Sequence, residues 1–287
     1  MTLGAGRPLP TVRFGTRGLP ADRAAVMAIV TRTPNLCSDR GVTDPDQVAM
    51  AAVDRAVYEG ADILDIGAAE GTRRVVPFVA AVRECYPEIL ISVHAWRRDV
   101  ARPVLEAGAD ILNWAGVDLQ LAELAAERGC GVVRRYSGCA SRRTPPPQVP
   151  GADVVRDVID DLTAQATTLV GLGVQKEAIL IDPTRDVGKD TWHGLELLRR
   201  SDDLVATGWP VLMTLSNEDC GETLDAGMDD RLDGILAATA IAAWAGIRVF
   251  RVHQVRQTRR VLEMVASIAG TRPPARAIRG LTMRGPE

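Results

Sequence analysis

Four side chains in this chain have the types needed to hold a flat polar ligand with an anionic arm. Asn113 and Asp182 supply an amide and a carboxylate, able together to meet the donors and acceptors along the edge of a heterocycle. Arg251 and His253 stand two apart on a predicted strand, hence on one side of it, where they make an anion clamp. Thr31, Asp65, His94, Arg135 and Ser216 likewise end or follow short apolar runs. Any one polar strand end is as readily explained by neighbours and water. The whole set is better explained by a shared mouth.

The elements that must position these groups are legible in the hydrophobic pattern. Two segments nearly repeat each other 48 residues apart, EGADILDIG over 59–67 and AGADILNWA over 107–115. Each opens on a Gly suited to a left-handed helix end, continues as a short buried strand and finishes on a polar side chain, Asp65 or Asn113. Strand-like runs are predicted near 25–30, 61–66, 89–93, 109–113, 131–135, 178–182, 210–215 and 247–252. Helical patterns fall between them at 45–59, 74–85, 97–107, 118–128, 152–171, 189–200, 229–245 and 255–268. Strict alternation of this kind makes parallel βαβ units, and eight of them with right-handed crossovers close as a TIM (β/α)8 barrel in a single domain. A doubly wound open sheet is the alternative, but no GxGxxG follows the first strand. The barrel is expected over 23–270, with a flexible N-terminal tail at 1–22 and a C-terminal tail at 271–287. The long segments 31–44, 136–150 and 216–228 follow strands and would sit as loops on the catalytic face.

Composition bounds the function classes. The chain has 287 residues, 46% hydrophobic and 25% charged, with a net charge of -3, so it can bury one large core. The mild acidity argues against nucleic acid as a partner, and no apolar run approaches the ~20 residues that would span a membrane. Five scattered Cys without CxxC spacing fit reduced thiols and a cytoplasmic location. No cluster has zinc spacing and no Ser lies in a GxSxG elbow. The segment TRDVGK, 184–189, lacks P-loop spacing, and His193, in TWHGLELL, reads as a surface or cap residue.

Seven segments in order carry a resemblance to one family: MAIVTRTPNLCSDRG (27–41), EGADILDIG (59–67), ISVHAWRRDVA (91–101), GADILN (108–113), LIDPTRDVGK (180–189), PVLMTLSNED (210–219) and FRVHQV (250–255). The chain resembles dihydropteroate synthases, the pterin-binding TIM barrels of folate biosynthesis, and in particular their divergent second paralogues in actinobacteria. The resemblance implies a condensation of p-aminobenzoate with a hydroxymethyl-dihydropterin pyrophosphate, Mg²⁺ at the departing pyrophosphate, and a homodimer. It implies pterin-edge contacts at Asn113 and Asp182 and anion contacts at Arg251 and His253. Thr72 matches a further contact if AAEGTRR (68–74) carries a one-residue insertion.

Six positions depart from the family pattern. Thr31 stands for the Asn that ligates Mg²⁺, Asn35 for an Asp of the first loop, and Cys37 for a Phe beside p-aminobenzoate. His94 stands for a pterin-facing Asp, Trp114 for an Asp, and Glu218 for a Lys, which reverses a local charge. Each lost contact in a buried polar site is expected to cost about 1–3 kcal/mol. The expectation is a divergent synthase homologue that keeps part of a pterin and phosphate pocket without ordinary turnover. The alternatives are a transferase on a related substrate, with His94 or Glu218 as acid or base, and a non-catalytic pterin-binding or regulatory protein. A pairing of His94 with Glu218, each replacing an opposite charge of the family pattern, would make the pocket a rebuilt one.

Overall fold

The computed structural model describes residues 9–30, 45–67, 72–95, 97–115, 118–136, 153–183, 191–215, 217–227 and 230–276. A short antiparallel hairpin, β1 (Arg13–Phe14) and β2 (Arg17–Gly18), precedes the barrel. There follow β3 (Ala25–Val30), α1 (Pro45–Tyr58), β4 (Ile63–Gly67), α2 (Thr72–Cys85), β5 (Leu90–His94), α3 (Arg98–Glu106), β6 (Ile111–Ala115), α4 (Leu119–Arg128) and β7 (Gly131–Arg135). The second half runs α5 (Val154–Gly171), β8 (Ile179–Asp182), α6 (Thr191–Arg199), α7 (Ser201–Ala206), β9 (Leu212–Thr214), α8 (Asn217–Leu224), α9 (Leu232–Ala245), β10 (Val249–Val252) and α10 (Val255–Ala269).

Strands β3 to β10 are parallel, in the order β8-β7-β6-β5-β4-β3-β10-β9, and a bridge between Ile181 and Val211 joins the last pair. The sheet therefore closes on itself as an eight-stranded barrel, the expected architecture. The eight strands fall within two residues of their predicted positions. Part of the segment expected to be a loop at 216–228 is the helix α8, and α7 is a further helical turn between α6 and β9.

Alternation along each strand separates two cores. Val26, Ala28, Leu64, Ile66, Ile91, Val93, Leu112, Val132, Ile181 and Phe250 face outward and pack under the helices. Ala25, Met27, Ile63, Leu90, Ile111, Val133, Leu180, Leu212 and Val249 belong to a second cluster that fills the lower part of the barrel. Val12, Phe14 and Leu19 join this second cluster, so residues 12–19, within the segment expected to be a tail, close the barrel floor with apolar surface. Arg248 pins that hairpin segment from the strand side, donating to the carbonyls of Pro10 at 3.0 Å and Arg23 at 3.0 Å. Beyond the barrel, Thr271 donates to the Asp22 carbonyl at 2.9 Å and Arg272 pairs with the Asp22 carboxylate.

Candidate functional site

The same alternation that puts apolar groups on the floor puts polar ones at the mouth. Asp65 lies two residues after Ile63, Ser92 and His94 two and four after Leu90, Asn113 two after Ile111, Arg135 two after Val133, Asp182 two after Leu180 and Arg251 two after Val249. Period two keeps each of them on the inner face of its strand. Strand register then sets their heights: Asp65 opposes Ser92, His94 opposes Asn113, and Arg135 opposes Asp182.

Asp65 is the hub. Its side chain is fully buried, and Ser92 Oγ donates to Oδ1 at 2.7 Å while Arg251 Nε donates to Oδ2 at 2.6 Å. His94 Nε2 lies 2.8 Å from the same Oδ2. A lone pair facing a carboxylate at that distance would be repelled, so the proton belongs on Nε2. Asn113 Nδ2 sits 3.0 Å from His94 Nε2 and 3.4 Å from Asp65 Oδ1. With Nε2 protonated, the amide donates to the carboxylate. Burial alone would raise the Asp65 pKa; its close contacts with His94 and Arg251 and the hydrogen bond of Ser92 override it and hold the carboxyl well below the usual range.

Arg135 and Asp182 complete the ring. Arg135 Nη2 donates to Asn113 Oδ1 at 2.7 Å, which fixes the amide orientation, and Arg135 Nε lies 4.0 Å from Asp182 Oδ2. Arg135 Nη2 also stands 3.5 Å from His94 Nδ1, the ring nitrogen left as an acceptor. The cluster thus balances two carboxylates against two guanidiniums with a histidine between them. Every polar atom of Asn113 that a ligand would read already meets a protein group. His253, just past β10, is exposed; desolvation by the protein around it and then the charge of Arg251 lower its pKa.

The structure brings six of the nine predicted mouth residues together: Asp65, His94, Asn113, Arg135, Asp182 and Arg251. His253 lies at the rim. Thr31, Asn35, Cys37 and Ser216 fall outside the described residues, as do the side chains of Thr72, which opens α2, and Glu218, in α8. Among the described residues the carboxylate beside His94 is Asp65, and a pairing of His94 with Glu218 lies outside them. Ser92 is the partner that the sequence reading missed, although its spacing of two from His94 puts it on the same face. Trp114, a departure from the family pattern, does not line the mouth. It is buried on the outer face of β6, with the Arg134 guanidinium 5.9 Å from its ring centre. Arg134 in turn points away from Arg135, bonds Gln165 and the Trp114 carbonyl, and has its pKa pushed down to about 10 by burial.

The described mouth does not suit a divalent cation. Both Asp65 oxygens are taken by cationic or neutral donors, and among the described residues no three metal-ligating side chains converge.

A model of the pterin binding enzyme family matches residues 27–253. The chain is 51% identical to a Mycobacterium leprae protein named inactive dihydropteroate synthase 2, over 92% of this chain and 97% of the other. It is 32% identical to a Streptococcus pyogenes dihydropteroate synthase over 85% and 96%. The structure of a Xanthomonas albilineans dihydropteroate synthase in complex with 7,8-dihydropteroate matches with a TM-score of 0.80 and 30% identity, covering 90% of this chain and 98% of that one. The eight-stranded barrel, its polar mouth and these likenesses agree: the chain belongs to the dihydropteroate synthase family of pterin binding enzymes.

Proposed function

We propose that this protein is a divergent dihydropteroate synthase homologue whose mouth binds a pterin-like or related flat heterocycle and which does not condense p-aminobenzoate with the pterin pyrophosphate at an ordinary rate. The observation that carries this reading is the closed network at the mouth. Catalysis requires donors free to follow charge as it develops on the leaving group. Here Arg251 is fixed by its Nε bond to Asp65, and Asn113 is held by Arg135 and Asp65. Asn113 and Asp182 are the ring contacts, Arg251 and His253 the anion contacts, and Thr72 a further substrate contact. The relatives named inactive synthases support the absence of turnover, and the solved synthase complex with 7,8-dihydropteroate supports a heterocycle as ligand. Purified protein given the pterin pyrophosphate, p-aminobenzoate and Mg²⁺ should form no dihydropteroate above background, while pterins raise its melting temperature. Ordinary turnover would refute the reading.

One geometric feature favours a second reading, a transferase on a related substrate. His94 Nε2 paired to a buried carboxylate, with Nδ1 left as the acceptor 3.5 Å from Arg135 Nη2, is the arrangement of a general base held by an orienting group. If that reading holds, a substrate screen will find an activity that His94→Ala removes; Glu218→Ala tests the other acid or base candidate.

The protein is proposed to act as a homodimer in the cytoplasm, without nucleic acid. Ile241 and Trp244 on α9 and Met264 and Ile268 on α10 are exposed, and the two helices pack side by side, giving an apolar face suited to a second copy. Light scattering should give twice the chain mass. Among the described residues no helix is long and apolar enough to cross a membrane.

A further inference from the structure

Arg135 ends β7, and its side chain turns inward with 8% of its surface exposed. A guanidinium is a rigid plane edged with N–H donors. A 2-aminopyrimidinone ring offers the same array through its exocyclic amine and the adjacent ring N–H. In the barrel mouth that array faces the two acceptors a heterocycle edge would need: Nη2 donates to Asn113 Oδ1 at 2.7 Å, and Nε stands 4.0 Å from Asp182 Oδ2. The other end of the Asn113 amide is turned towards Asp65 Oδ1, so the amide cannot rotate to offer a fresh oxygen without losing both contacts.

We propose that Arg135 is a built-in competitor for the ring position, an internal group that holds the donor seat of a 2-amino heterocycle and must be displaced before such a ligand can bind. The inference rests on reading Asn113 and Asp182 as ring contacts, and it names the residue that sets the affinity of that site. Displacement exchanges a charge-assisted donor for a neutral one beside the Asp182 carboxylate, which favours the guanidinium. His94 adds to the hold, because its Nδ1 also faces Arg135 Nη2. The site thereby discriminates against neutral pterins without any loss of its ring-reading groups.

The test compares the wild type with Arg135→Met, which keeps length and removes every donor, and Arg135→Ala, which leaves a hole. Each is titrated with 6-hydroxymethylpterin by calorimetry after its melting transition is checked; Arg135→Gln replaces the Met variant if that variant melts without cooperativity. Arg135→Met is expected to bind the pterin at least tenfold more tightly than the wild type, and Asn113→Ala in that background should abolish the gain. Methylguanidine at millimolar concentration should raise the melting temperature of Arg135→Ala, weaken its pterin binding and leave the wild type unaffected. Equal or weaker pterin binding by a folded Arg135→Met, with Asn113→Ala weakening both proteins, would overturn the competitor role and leave the heterocycle reading standing. No pterin binding by any of the proteins would overturn both.

Discussion

The two near-repeats, 59–67 and 107–115, have a leading end and an exit end, and the two ends have had different histories. At the leading end Asp62 accepts from Arg23 at 2.7 and 2.6 Å and from the Val26 backbone N–H at 2.8 Å. Its counterpart Asp110 accepts from Arg17 at 2.8 Å, from Arg83 at 2.6 Å and from the Ile91 N–H at 2.8 Å. In both copies the carboxylate ties one strand to the start of its neighbour. Three residues on, Asp65 and Asn113 no longer match in type, and they meet each other at 3.4 Å. Repetition survives where the job is generic, joining adjacent parallel strands, and disappears where each strand delivers its own group to one shared mouth.

The exit end should be the more costly to damage, because its groups are buried and share a single acceptor. Asp65→Ala leaves Arg251, His94 and Ser92 without their common partner and is expected to destabilise the protein by about 3–5 kcal/mol in urea unfolding. A cost below that of the leading-end variants would mean that the mouth is not one coupled network. Acid sharpens the point. Because the folded pKa of Asp65 is depressed, its contribution is fully present above the unfolded value of about 3.9 and is lost as pH falls below it towards the folded value. The stability gap between the wild type and Asp65→Asn should therefore be the same at pH 7 and pH 5 and narrow at pH 3.

At the leading end, Asp62→Ala and Asp110→Ala each remove a carboxylate less buried than that of Asp65 and leave guanidinium and backbone donors unpaired, an expected loss of about 1–3 kcal/mol. The two losses should agree closely, since the geometry repeats. Neither should change binding of any ligand that thermal-shift screening finds at the mouth. A shift in ligand affinity comparable to that from Asn113→Ala would break the division of labour between the ends.

The frame was readable in the sequence because buried parallel strands and amphipathic helices leave strong periodic traces, and the repeat disclosed one spoke twice. The inward direction of Asp65, His94, Asn113, Asp182 and Arg251 followed from their place at strand ends. What remained hidden was pairing. Ser92 lies in the same SVH run as His94, yet only strand register puts it opposite Asp65. Arg134 and Arg135 are neighbours of one type, and alternation sends them to opposite faces: one into the helical layer against Trp114, the other onto Asn113. Trp114 was legible as a departure from the family, but its place on the outer face follows from strand parity applied one residue beyond Asn113. The floor was missed because Val12, Phe14 and Leu19 are too widely spaced to read as a strand; their burial is decided by the barrel end they cover.

The glycines that open the repeats offer the finest test of how alike the two copies are. Gly60 has φ +95° and Gly108 φ +108°, and an Arg folds over each, with Arg259 donating to the Gly60 carbonyl at 2.9 Å and Arg83 to the Gly108 carbonyl at 2.9 Å. An L side chain pays about 1–2 kcal/mol for left-handed backbone at either site. Space then separates them. A methyl at Gly60 would meet Arg259 Cγ at 3.4 Å, an ordinary contact, whereas one at Gly108 would come within 2.8 Å of Arg83 Cγ and 3.2 Å of its Cβ. The Cβ cannot swing aside, and moving Arg83 strains its bonds to Gly108 and Asp110. Gly108→Ala should therefore lower stability more than Gly60→Ala, and Arg83→Ala should remove most of the difference. Equal losses would mean that backbone strain alone governs both positions and that the two copies are closer in their packing than these contacts imply.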